Sequence, residues 1–257
     1  MWDRGAGRVR LRYGSRPIAA GRSSDSGGKI KIGIIGAGQI GGTLARRLTA
    51  AGHEVAIANS RGPASLADLA RETGAKPVTV EQAARAGDVV IVTIPMKNIP
   101  RLPKDLFDGV ADDVAVVDTG NYYPQQRDGR IDPIEQGTTE SRWVATQLRR
   151  PVVKAFNNIY AQHLLERGKP RGASGRIALP VAGDDQRAKD VVIRLLDQIG
   201  FNGVDGGGLD ESWRQQPGTP VYGTDYDAAG VRKALAEAKP ARTSAFKAGE
   251  AASAGRR

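Results

Sequence analysis

The sequence predicts an α/β protein built on a doubly wound parallel sheet. Segments rich in β-branched residues alternate with segments of helical apolar spacing from residue 29 to about residue 205. The helical segments are long enough to act as crossovers between parallel strands, so helices should cover both faces of the sheet. The length of 257 residues suits one large domain, or one large domain with a small addition.

The first half of this alternation opens with a β-branched strand and a glycine-rich turn. Apolar residues then recur at helical spacing up to Gly52, which ends the first helix. Thr79 and Gln82 have the spacing of a capping box, which predicts the start of a short helix. The most continuously apolar run, residues 88–95, predicts a strand buried on both faces. The strands predicted in this half are 30–35, 54–58, 78–80 and 88–95, and a further helix runs from Pro63 to Gly74.

The same alternation continues in the second half of the chain. Asp184 or Asp185 can cap a helix that runs to Ile199 and closes at Gly200. Further helices are predicted around residues 141–148 and around His163. The strands predicted in this half are 114–118, 152–156, 177–182 and one near Val204.

The net charge of +10 is concentrated at the two ends of the chain. Residues 1–30 contain seven basic and two acidic residues and residues 240–257 contain four and one, which leaves +2 for residues 31–239. Both ends are rich in Gly, Ala and Ser and lack apolar periodicity, so they should not bury enough surface to order. We predict a disordered basic tail at 1–28, a first domain at 29–150, a small C-terminal domain or sheet extension at 151–239, and a disordered tail at 240–257. Residues 1–28 alternatively form a transit peptide or precede the true start codon.

The composition excludes several kinds of chemistry. The chain has no cysteine, which rules out disulfides, thiolate metal sites and a cysteine nucleophile. With only His53 and His163, a histidine-built metal centre is not expected. No apolar run approaches the roughly 20 residues that span a bilayer. Because the excess positive charge lies in the tails, nucleic acid is not expected as a partner.

The turn after the first predicted strand has the spacing Gly36-x-Gly38-x-x-Gly41. It follows a strand and opens a helix, which is the context that a dinucleotide-binding fingerprint requires. Gly36 permits the tight turn, Gly38 lets a pyrophosphate approach backbone N–H groups, and Gly41 allows close helix packing. The positive end of the helix faces the phosphates. The sequence therefore predicts a Rossmann NAD(P)-binding fold, with cofactor contacts at Gly36, Gly38, Gln39, Ile40 and Gly41.

The end of the second strand predicts which dinucleotide is bound. An NAD site usually has Asp or Glu there to accept from the ribose 2′-hydroxyl, whereas this chain has Asn59, Ser60 and Arg61. No carboxylate is present to repel a 2′-phosphate, and a guanidinium can bind it. We therefore predict NADP rather than NAD. The alternative is that Arg61 is an ordinary solvated loop residue.

Further loops should open at the carboxyl edge of the sheet, where ligands of α/β proteins bind. Thr93, Ile94 and Pro95 end the fourth strand and Thr119 follows the fifth, so both loops are predicted to flank the ribose and nicotinamide. Asp118 fits a structural turn as well as a catalytic role.

Two adjacent carboxamides, Asn157 and Asn158, leave the next strand. Amides are costly to bury without hydrogen bonds, so they either contact substrate or nicotinamide or form a satisfied loop network. Residues 213–223 lack periodicity but mix aromatic, amide and turn residues. This segment is either an ordered lid over an acceptor pocket or a packed connection.

With these segments in view, the chain resembles the NADPH-dependent reductases of coenzyme F420, in their bacterial branch. The resemblance covers residues 29–225 and rests on "KIGIIGAGQIGGTLARRLTAAGHEVAIANSRGP", "VVIVTIP", "VVDTGNYYP", "VVKAFNNIYAQHLLERG" and "LDESWRQQPGTPVYGTD". It implies a Rossmann domain with a small C-terminal domain, and often a dimer. By this resemblance, residues 36–41 would hold the pyrophosphate, Ser60 and Arg61 the 2′-phosphate, and residues 93–95 the nicotinamide side. The segment from Asn157 to Ala161 would lie between nicotinamide and deazaflavin.

The chain also departs from that family's archaeal members. They typically have a Thr-Gly-Asp-Gln turn where this chain has Ala37-Gly38-Gln39, and a His-containing loop where it has Asn157-Asn158. A similar "VVKAFN" segment occurs in the cytoplasmic domain of the STEAP metalloreductases, whose NADPH reduces a flavin.

The predicted function is hydride transfer between NADP(H) and coenzyme F420. The alternative is an NADPH-dependent flavin or ferric (STEAP-like) reductase, with FMN or FAD as acceptor, and a non-catalytic NADP-sensing protein is the alternative of another class. We assign no catalytic side chain and no metal ligand, because no Ser/His/Asp or paired-carboxylate arrangement stands out and two cofactors would carry the chemistry themselves. A role for His163 as a proton donor is less expected than a structural one. The protein is expected to be a cytoplasmic homodimer that takes small-molecule cofactors as substrates, with no membrane partner.

Overall fold

The computed structural model describes residues 28–249 and contains a six-stranded parallel sheet. Its strands are β1 (Lys31–Ile35), β2 (Glu54–Ala58), β3 (Lys76–Pro77), β4 (Val89–Val92), β5 (Ala115–Asp118) and β6 (Val153–Lys154). Their order across the sheet is β3-β2-β1-β4-β5-β6, and every neighbouring pair is parallel. This is the strand order of the Rossmann dinucleotide-binding fold, which confirms the predicted fold class.

Helices connect the strands on both sides of the sheet. They are α1 (Gln39–Ala50), α2 (Ala67–Thr73), α3 (Val80–Ala84), α4 (Asp132–Glu135), α5 (Glu140–Leu148), α6 (Ala161–Glu166), α7 (Gln186–Gln198) and α8 (Ala228–Glu237). Short 3-10 segments cover Pro63–Leu66, Met96–Arg101, Leu209–Gln215 and Ser244–Phe246, and a π turn covers Pro124–Asp128.

The central strand β4 shows that both faces of the sheet are covered. All four of its residues are at most 1 % exposed. Val89 and Ile91 belong to the apolar cluster that contains Leu44 of α1. Val90 and Val92 belong to the opposite cluster, which contains Trp143 and other residues of α5. Successive side chains of a strand point to opposite faces, so a fully apolar strand requires cover on both.

A small two-stranded sheet lies beside the main one. Its strands, β7 (Ala178–Val181) and β8 (Asn202–Asp205), run parallel and pack against α7 and α8. An antiparallel bridge joins this sheet to β6, because Lys154 and Ala182 exchange two backbone hydrogen bonds of 2.7 and 3.0 Å. The region 151–239 thus supplies the last strand of the main sheet and the small sheet next to it.

Local capping displaces the third strand from its predicted position at 78–80 to 76–77. Thr79 is the N-cap of α3, and its hydroxyl accepts from the Gln82 N–H at 3.2 Å. The Gln82 side chain in turn accepts from the Thr79 N–H at 3.0 Å. Both halves of the predicted capping box are present, and they draw Val80 into the helix instead of the strand.

The strand predicted at 152–156 is shorter, because the backbone turns sharply at Phe156. This residue has a φ of 60°, in the left-handed region, which a strand does not allow. The predicted strand 88–95 likewise ends at Val92, although the Thr93 N–H still donates to Ile35 at 2.8 Å. Both shortened strands end at the carboxyl edge of the sheet.

Two features of the C-terminal part differ from the expectations. Helix α8 was not predicted. The side chain of its N-cap, Asp227, accepts from the Gly230 N–H at 2.8 Å, and Val231 lies on the buried face of the helix. The chain at 240–249, expected to be disordered, contacts the body of the protein through Arg242 and Phe246. The rest of that predicted tail, 250–257, and residues 1–27 of the predicted N-terminal tail lie outside the described residues.

Candidate functional site

The glycine turn between β1 and α1 is a preformed cradle for an anion. Gly36 has a φ of 115°, and a Cβ there would lie 2.3 Å from the Thr93 carbonyl oxygen. A Cβ on Gly41 would lie 1.9 Å from the Gly36 carbonyl oxygen. Only glycine therefore fits at these two positions. At Gly38, by contrast, an added Cβ would meet no protein atom within 4 Å, so space is open above this residue.

The N-terminus of α1 completes this cradle. Gly38 is its N-cap, no side chain caps the helix, and its first turn contains no acidic residue. The first backbone N–H groups, including those of Gln39 and Ile40, are therefore free of side-chain acceptors at the positive end of a 12-residue helix. Such an end binds phosphate through its amides. The cradle matches the predicted pyrophosphate site.

The turn after β2 presents Arg61 beside the cradle. The Asn59 side chain accepts from the Arg61 N–H at 2.9 Å and donates to the Ser65 hydroxyl at 2.9 Å. Asn59 thus shapes the turn, whereas Ser60 and Arg61 are exposed. Arg61 has no ion-pair partner among residues 28–249. Its guanidinium is available for an anionic ligand.

A cleft of about 480 Å³ runs from Gly38 to Arg61, between α1, the chain before α2, and α6. Ala161 at the start of α6 lies in its wall, as does Arg46 on α1. This volume lies in the range of small-molecule sites. The cleft therefore brings the predicted residues at 38, 39, 61 and 161 to one place.

Arg46 is a cleft residue that the sequence reasoning missed. Its guanidinium binds Glu72 through Nε at 2.5 Å and Nη2 at 2.7 Å. This contact raises the pKa of Arg46 and lowers that of Glu72. The signal was its position seven residues after Gln39, on the same face of α1. A second guanidinium thus lines the same cleft as Arg61.

The loop after β4 lies against the glycine turn. Thr93, Ile94 and Pro95 are half-buried. The Ile94 side chain and the Thr93 backbone both lie within 3 Å of a Cβ position on Gly36. The structure therefore brings this predicted loop to the cradle, on the side toward β5.

Thr119 and Asp118 at the end of β5 have structural contacts. The Thr119 N–H donates to the Val92 carbonyl at 3.1 Å, and the residue is 6 % exposed. Asp118 accepts from the Gly120 N–H at 2.8 Å and from the Ser141 hydroxyl at 2.7 Å. Of the two interpretations of Asp118, these bonds favour the structural one.

Asp118 also belongs to a buried cluster of charged side chains. Lys154 is 1 % exposed and donates to the Gly120 carbonyl at 2.5 Å. Its Nζ lies 3.5 Å from both the Asp118 and the Glu140 carboxylates. Arg242 also binds Glu140, at 3.0 Å. The two cations balance the two carboxylates, as burial of charge requires.

The two carboxamides after β6 have different environments. Asn157 is part of a satisfied network: its Nδ2 donates to Asn121 at 3.0 Å, and its Oδ1 accepts from Gln215 at 2.9 Å. Both amide atoms of Asn158, in contrast, are buried and have no hydrogen-bond partner among the described residues. Its backbone carbonyl accepts from Gly223 at 2.9 Å. Such an unsatisfied amide calls for a water or a ligand.

The segment 213–223 packs over these carboxamides. Gln215 binds Asn157, and the Tyr222 hydroxyl is hydrogen-bonded to that of Tyr123 in the loop after β5. Burial and the adjacent Tyr123 raise the pKa of Tyr222. His163, on α6, pairs with Asp225 at 2.9 Å, which is a structural contact. The segment thus covers the carboxyl ends of β5 and β6.

Two further observations concern the described residues as a whole. Within residues 28–249, no group of three or more His, Asp or Glu side chains is placed to hold a metal ion. None of the helices in this range has the length and apolar character that a membrane crossing needs.

Fold and cradle together define the class: a protein with a Rossmann dinucleotide-binding domain. Residues 31–122 match the family model described as NADP oxidoreductase, coenzyme F420-dependent. The chain also shares 35 % identity with protein SMa0349 of Sinorhizobium meliloti, at a TM-score of 0.64, over 75 % of this chain and 93 % of that one. Residues 31–122 therefore belong to the family of coenzyme F420-dependent NADP oxidoreductases.

Other similar proteins share shorter or more distant regions. Protein YjhV of Escherichia coli K12 is 40 % identical over 37 % of this chain and 61 % of its own. The metalloreductase STEAP3 of Rattus norvegicus is 28 % identical over 76 % of this chain and 39 % of its own. The chain thus spans less than two thirds of these two curated relatives. A structure from Arthrobacter sp. FB24, described as an F420-dependent NADP reductase, shares the fold at 23 % identity and a TM-score of 0.56, over 70 % of this chain and 85 % of that one.

Proposed function

We propose that this protein transfers a hydride between NADP(H) and the deazaflavin coenzyme F420. The observation that carries the proposal is the open anion cradle at Gly38 with the exposed guanidinium of Arg61 beside it. The family membership supports the choice of acceptor. In the proposed complex the pyrophosphate binds the amides of residues 36–41, and Ser60 and Arg61 bind the 2′-phosphate.

The preference for NADP over NAD follows from charge at the end of β2. No carboxylate occupies residues 59–61, where an NAD site would use one for the ribose hydroxyls. Arg61 can form charge-assisted hydrogen bonds to a phosphate that NAD lacks. Arg46 adds positive charge to the lining of the same cleft, although Glu72 partly offsets it.

The nicotinamide would lie along the loop at residues 93–95, and the acceptor toward Asn121, Asn157 and Asn158. NADPH supplies the hydride, and the acceptor ring takes it up together with one proton from solvent. The chain's part is to orient the two rings face to face and to exclude water between them. Asn157 is held from three sides by hydrogen bonds, so its loop can act as a fixed wall. This role needs no side chain that acts as an acid or a base.

A flavin is the second candidate for the acceptor. It is favoured by the similarity to the rat metalloreductase over 203 residues, which extends beyond the glycine turn into the Asn157 loop region. FMN or FAD presents a tricyclic ring of the same shape as a deazaflavin, so the same wall would serve either. A protein that binds NADP without catalysis is the alternative of another class.

The direct test is to mix the purified protein with NADPH and oxidised F420, with FMN in a parallel reaction, and to follow NADPH absorbance. We expect oxidation of NADPH that depends on the acceptor. If NADPH binds but neither acceptor is reduced, the enzyme proposal fails and the sensing protein takes its place. A homodimer in the cytoplasm is part of the proposal, and size-exclusion chromatography with light scattering tests its oligomeric state.

A further inference from the structure

Three tyrosines meet beside the carboxyl edge of the sheet. Tyr123 follows β5, Tyr160 follows β6, and Tyr222 lies in the segment 213–223. The hydroxyls of Tyr123 and Tyr222 are hydrogen-bonded to each other. The Tyr160 hydroxyl lies 3.1 Å from the position of a Cβ on Gly223, the neighbour of Tyr222. Three separate parts of the chain thus build one aromatic cluster.

The Tyr160 ring is the exposed face of this cluster. It is 60 % exposed, more than any other large apolar side chain among residues 28–249. The next residue, Ala161, lines the cleft that also contains Gly38 and Arg61, so the Tyr160 ring is close in the chain to that cleft.

A second contact fixes the orientation of the Tyr160 ring. His163 meets it edge-on, with ring centroids 5.4 Å apart at an interplanar angle of 76°. His163 is itself held by Asp225. An exposed aromatic ring with a fixed orientation offers a stacking surface to a planar ligand.

Tyr222 and Asn121 form the polar side of the cluster. Asn121 Nδ2 lies 3.5 Å from the Tyr222 hydroxyl and donates to the Asn157 carbonyl at 2.8 Å. Burial, followed by the contact with Tyr123, raises the pKa of Tyr222. Its hydroxyl therefore stays protonated near neutral pH. Either hydroxyl of the Tyr123–Tyr222 pair can be the donor, and when Tyr123 donates, the Tyr222 hydrogen is free for a ligand carbonyl.

We propose that this cluster is the acceptor subsite: Tyr160 stacks on a planar heteroaromatic ring, and the Tyr222 hydroxyl, which accepts from Asn121, donates a hydrogen bond to a carbonyl on the edge of that ring. The inference rests on the proposed function and names the residues that select its acceptor. It predicts that the ring itself, with its carbonyl edge, is recognised, and that a phosphorylated side chain on the acceptor is not required.

The test compares Tyr160→Ala, Tyr160→Phe and Tyr222→Phe with the wild type. Steady-state kinetics are measured with F420, with the same deazaflavin ring lacking its phosphorylated side chain, and with FMN. We expect Tyr160→Ala to raise the KM for each ring acceptor about ten-fold or more, and Tyr160→Phe, which keeps the ring, to restore most of that loss. Tyr222→Phe removes one hydrogen bond and should raise the acceptor KM about three- to ten-fold. The KM for NADPH should stay as in the wild type.

Tyr226→Ala is the matched control, because Tyr226 is also exposed, at 45 %, but lies outside the cluster. Thermal melts establish that each variant folds. Unchanged acceptor KM values in folded Tyr160→Ala and Tyr222→Phe would overturn the inference. It would also be overturned if these variants lost only NADPH affinity or only the ability to dimerise, with no change in the acceptor KM. A wild-type protein that reduces no ring acceptor would instead contradict the proposed function.

Discussion

The three glycines of the turn between β1 and α1 have different physical roles. Gly36 and Gly41 are required by the protein itself, since a Cβ at either would collide with backbone oxygens. Gly38 has open space around it and a φ of −76°, which any residue can adopt. In the proposed complex, the missing side chain at Gly38 therefore leaves room for the pyrophosphate of the cofactor.

This contrast predicts opposite outcomes for two alanine substitutions. Gly38→Ala should leave the stability of the free protein within about 1 kcal/mol of the wild type. It should weaken NADPH binding by about ten-fold or more, because the new methyl group occupies the space of the pyrophosphate. Gly41→Ala should destabilise the fold by about 1–3 kcal/mol or more. Urea unfolding and NADPH titration of both variants check this, and unchanged NADPH binding in Gly38→Ala would contradict the cradle.

Arg61 allows a prediction about cofactor preference. Arg61→Ala should weaken NADPH binding by about 10- to 100-fold, the loss expected for a charge-assisted hydrogen bond, and leave NADH binding unchanged. Arg61→Lys should fall between the two, because an ammonium lacks the planar fork of the guanidinium. Titration of both cofactors provides the measurement. An unchanged ratio of the two affinities would show that Arg61 does not contact the 2′-phosphate.

The residues of the cradle could be predicted because each has a local sequence context, strand before and helix after. Arg46 could have been predicted from its spacing on α1, but the tyrosine cluster could not. The cluster depends on α6 and the segment 213–223 folding back onto the sheet, and no local pattern encodes such a contact. For the same reason, Asn157 and Asn158 were equivalent in the sequence, although only Asn157 has its hydrogen bonds satisfied.

At the scale of elements, the strands were predicted well where they are central and buried, as in β1, β2 and β4. The errors lie at their ends. The capping box at Thr79 took Val80 into a helix, and the positive φ of Phe156 ended β6 early. Helix α8 was missed because its apolar face is short and its composition resembles the alanine-rich chain that follows it.

The junction between α1 and β2 contains a titratable group with a predicted effect on stability. His53 is 6 % exposed, and the Ile30 N–H donates to its Nδ1 at 3.4 Å. Burial lowers its pKa below the ordinary value of 6.5. The unfolded chain therefore binds a proton more readily, so this residue's share of stability is complete above pH 6.5 and is lost as the pH falls through the folded pKa.

The measurement is the free energy of unfolding in urea at about pH 7.5 and about pH 5.5, for the wild type and His53→Gln. We expect the wild type to lose more stability on acidification than the variant. An equal loss in both proteins would mean that His53 titrates alike in the folded and unfolded states.

At the scale of the whole molecule, the chain at 240–249 is tied to the body by one buried ion pair. Arg242 Nη2 binds Glu140 at 3.0 Å and the Gln216 side chain at 2.9 Å. Glu140 is 2 % exposed, so the loss of its partner leaves an undercompensated charge. The Gln125 side chain also donates to the Ser244 and Lys247 carbonyls, and the Ala248 N–H donates to Glu135. The composition of this segment predicted disorder because no apolar periodicity reveals such contacts.

Arg242→Ala should therefore destabilise the protein by about 3 kcal/mol. In a Glu140→Gln background the same substitution should cost less, with a coupling energy of about 1–2 kcal/mol. Lys247→Ala is the control on the same segment, since Lys247 is exposed, and it should change stability by less than about 0.5 kcal/mol. Denaturant titrations of the wild type, the two single variants and the double variant test this. Additive effects would mean that Arg242 and Glu140 do not interact energetically.

The hydrogen-bonded bridge between Lys154 and Ala182 bears on how ligands come and go. Many two-domain enzymes swing their lobes apart about a hinge to release product. Here an opening between the main sheet and the small sheet would break the two backbone hydrogen bonds of this bridge and expose the buried side chain of Lys154. Because this bridge opposes such an opening, we expect a ligand to enter and leave through movements of side chains and short loops at the rim of the cleft.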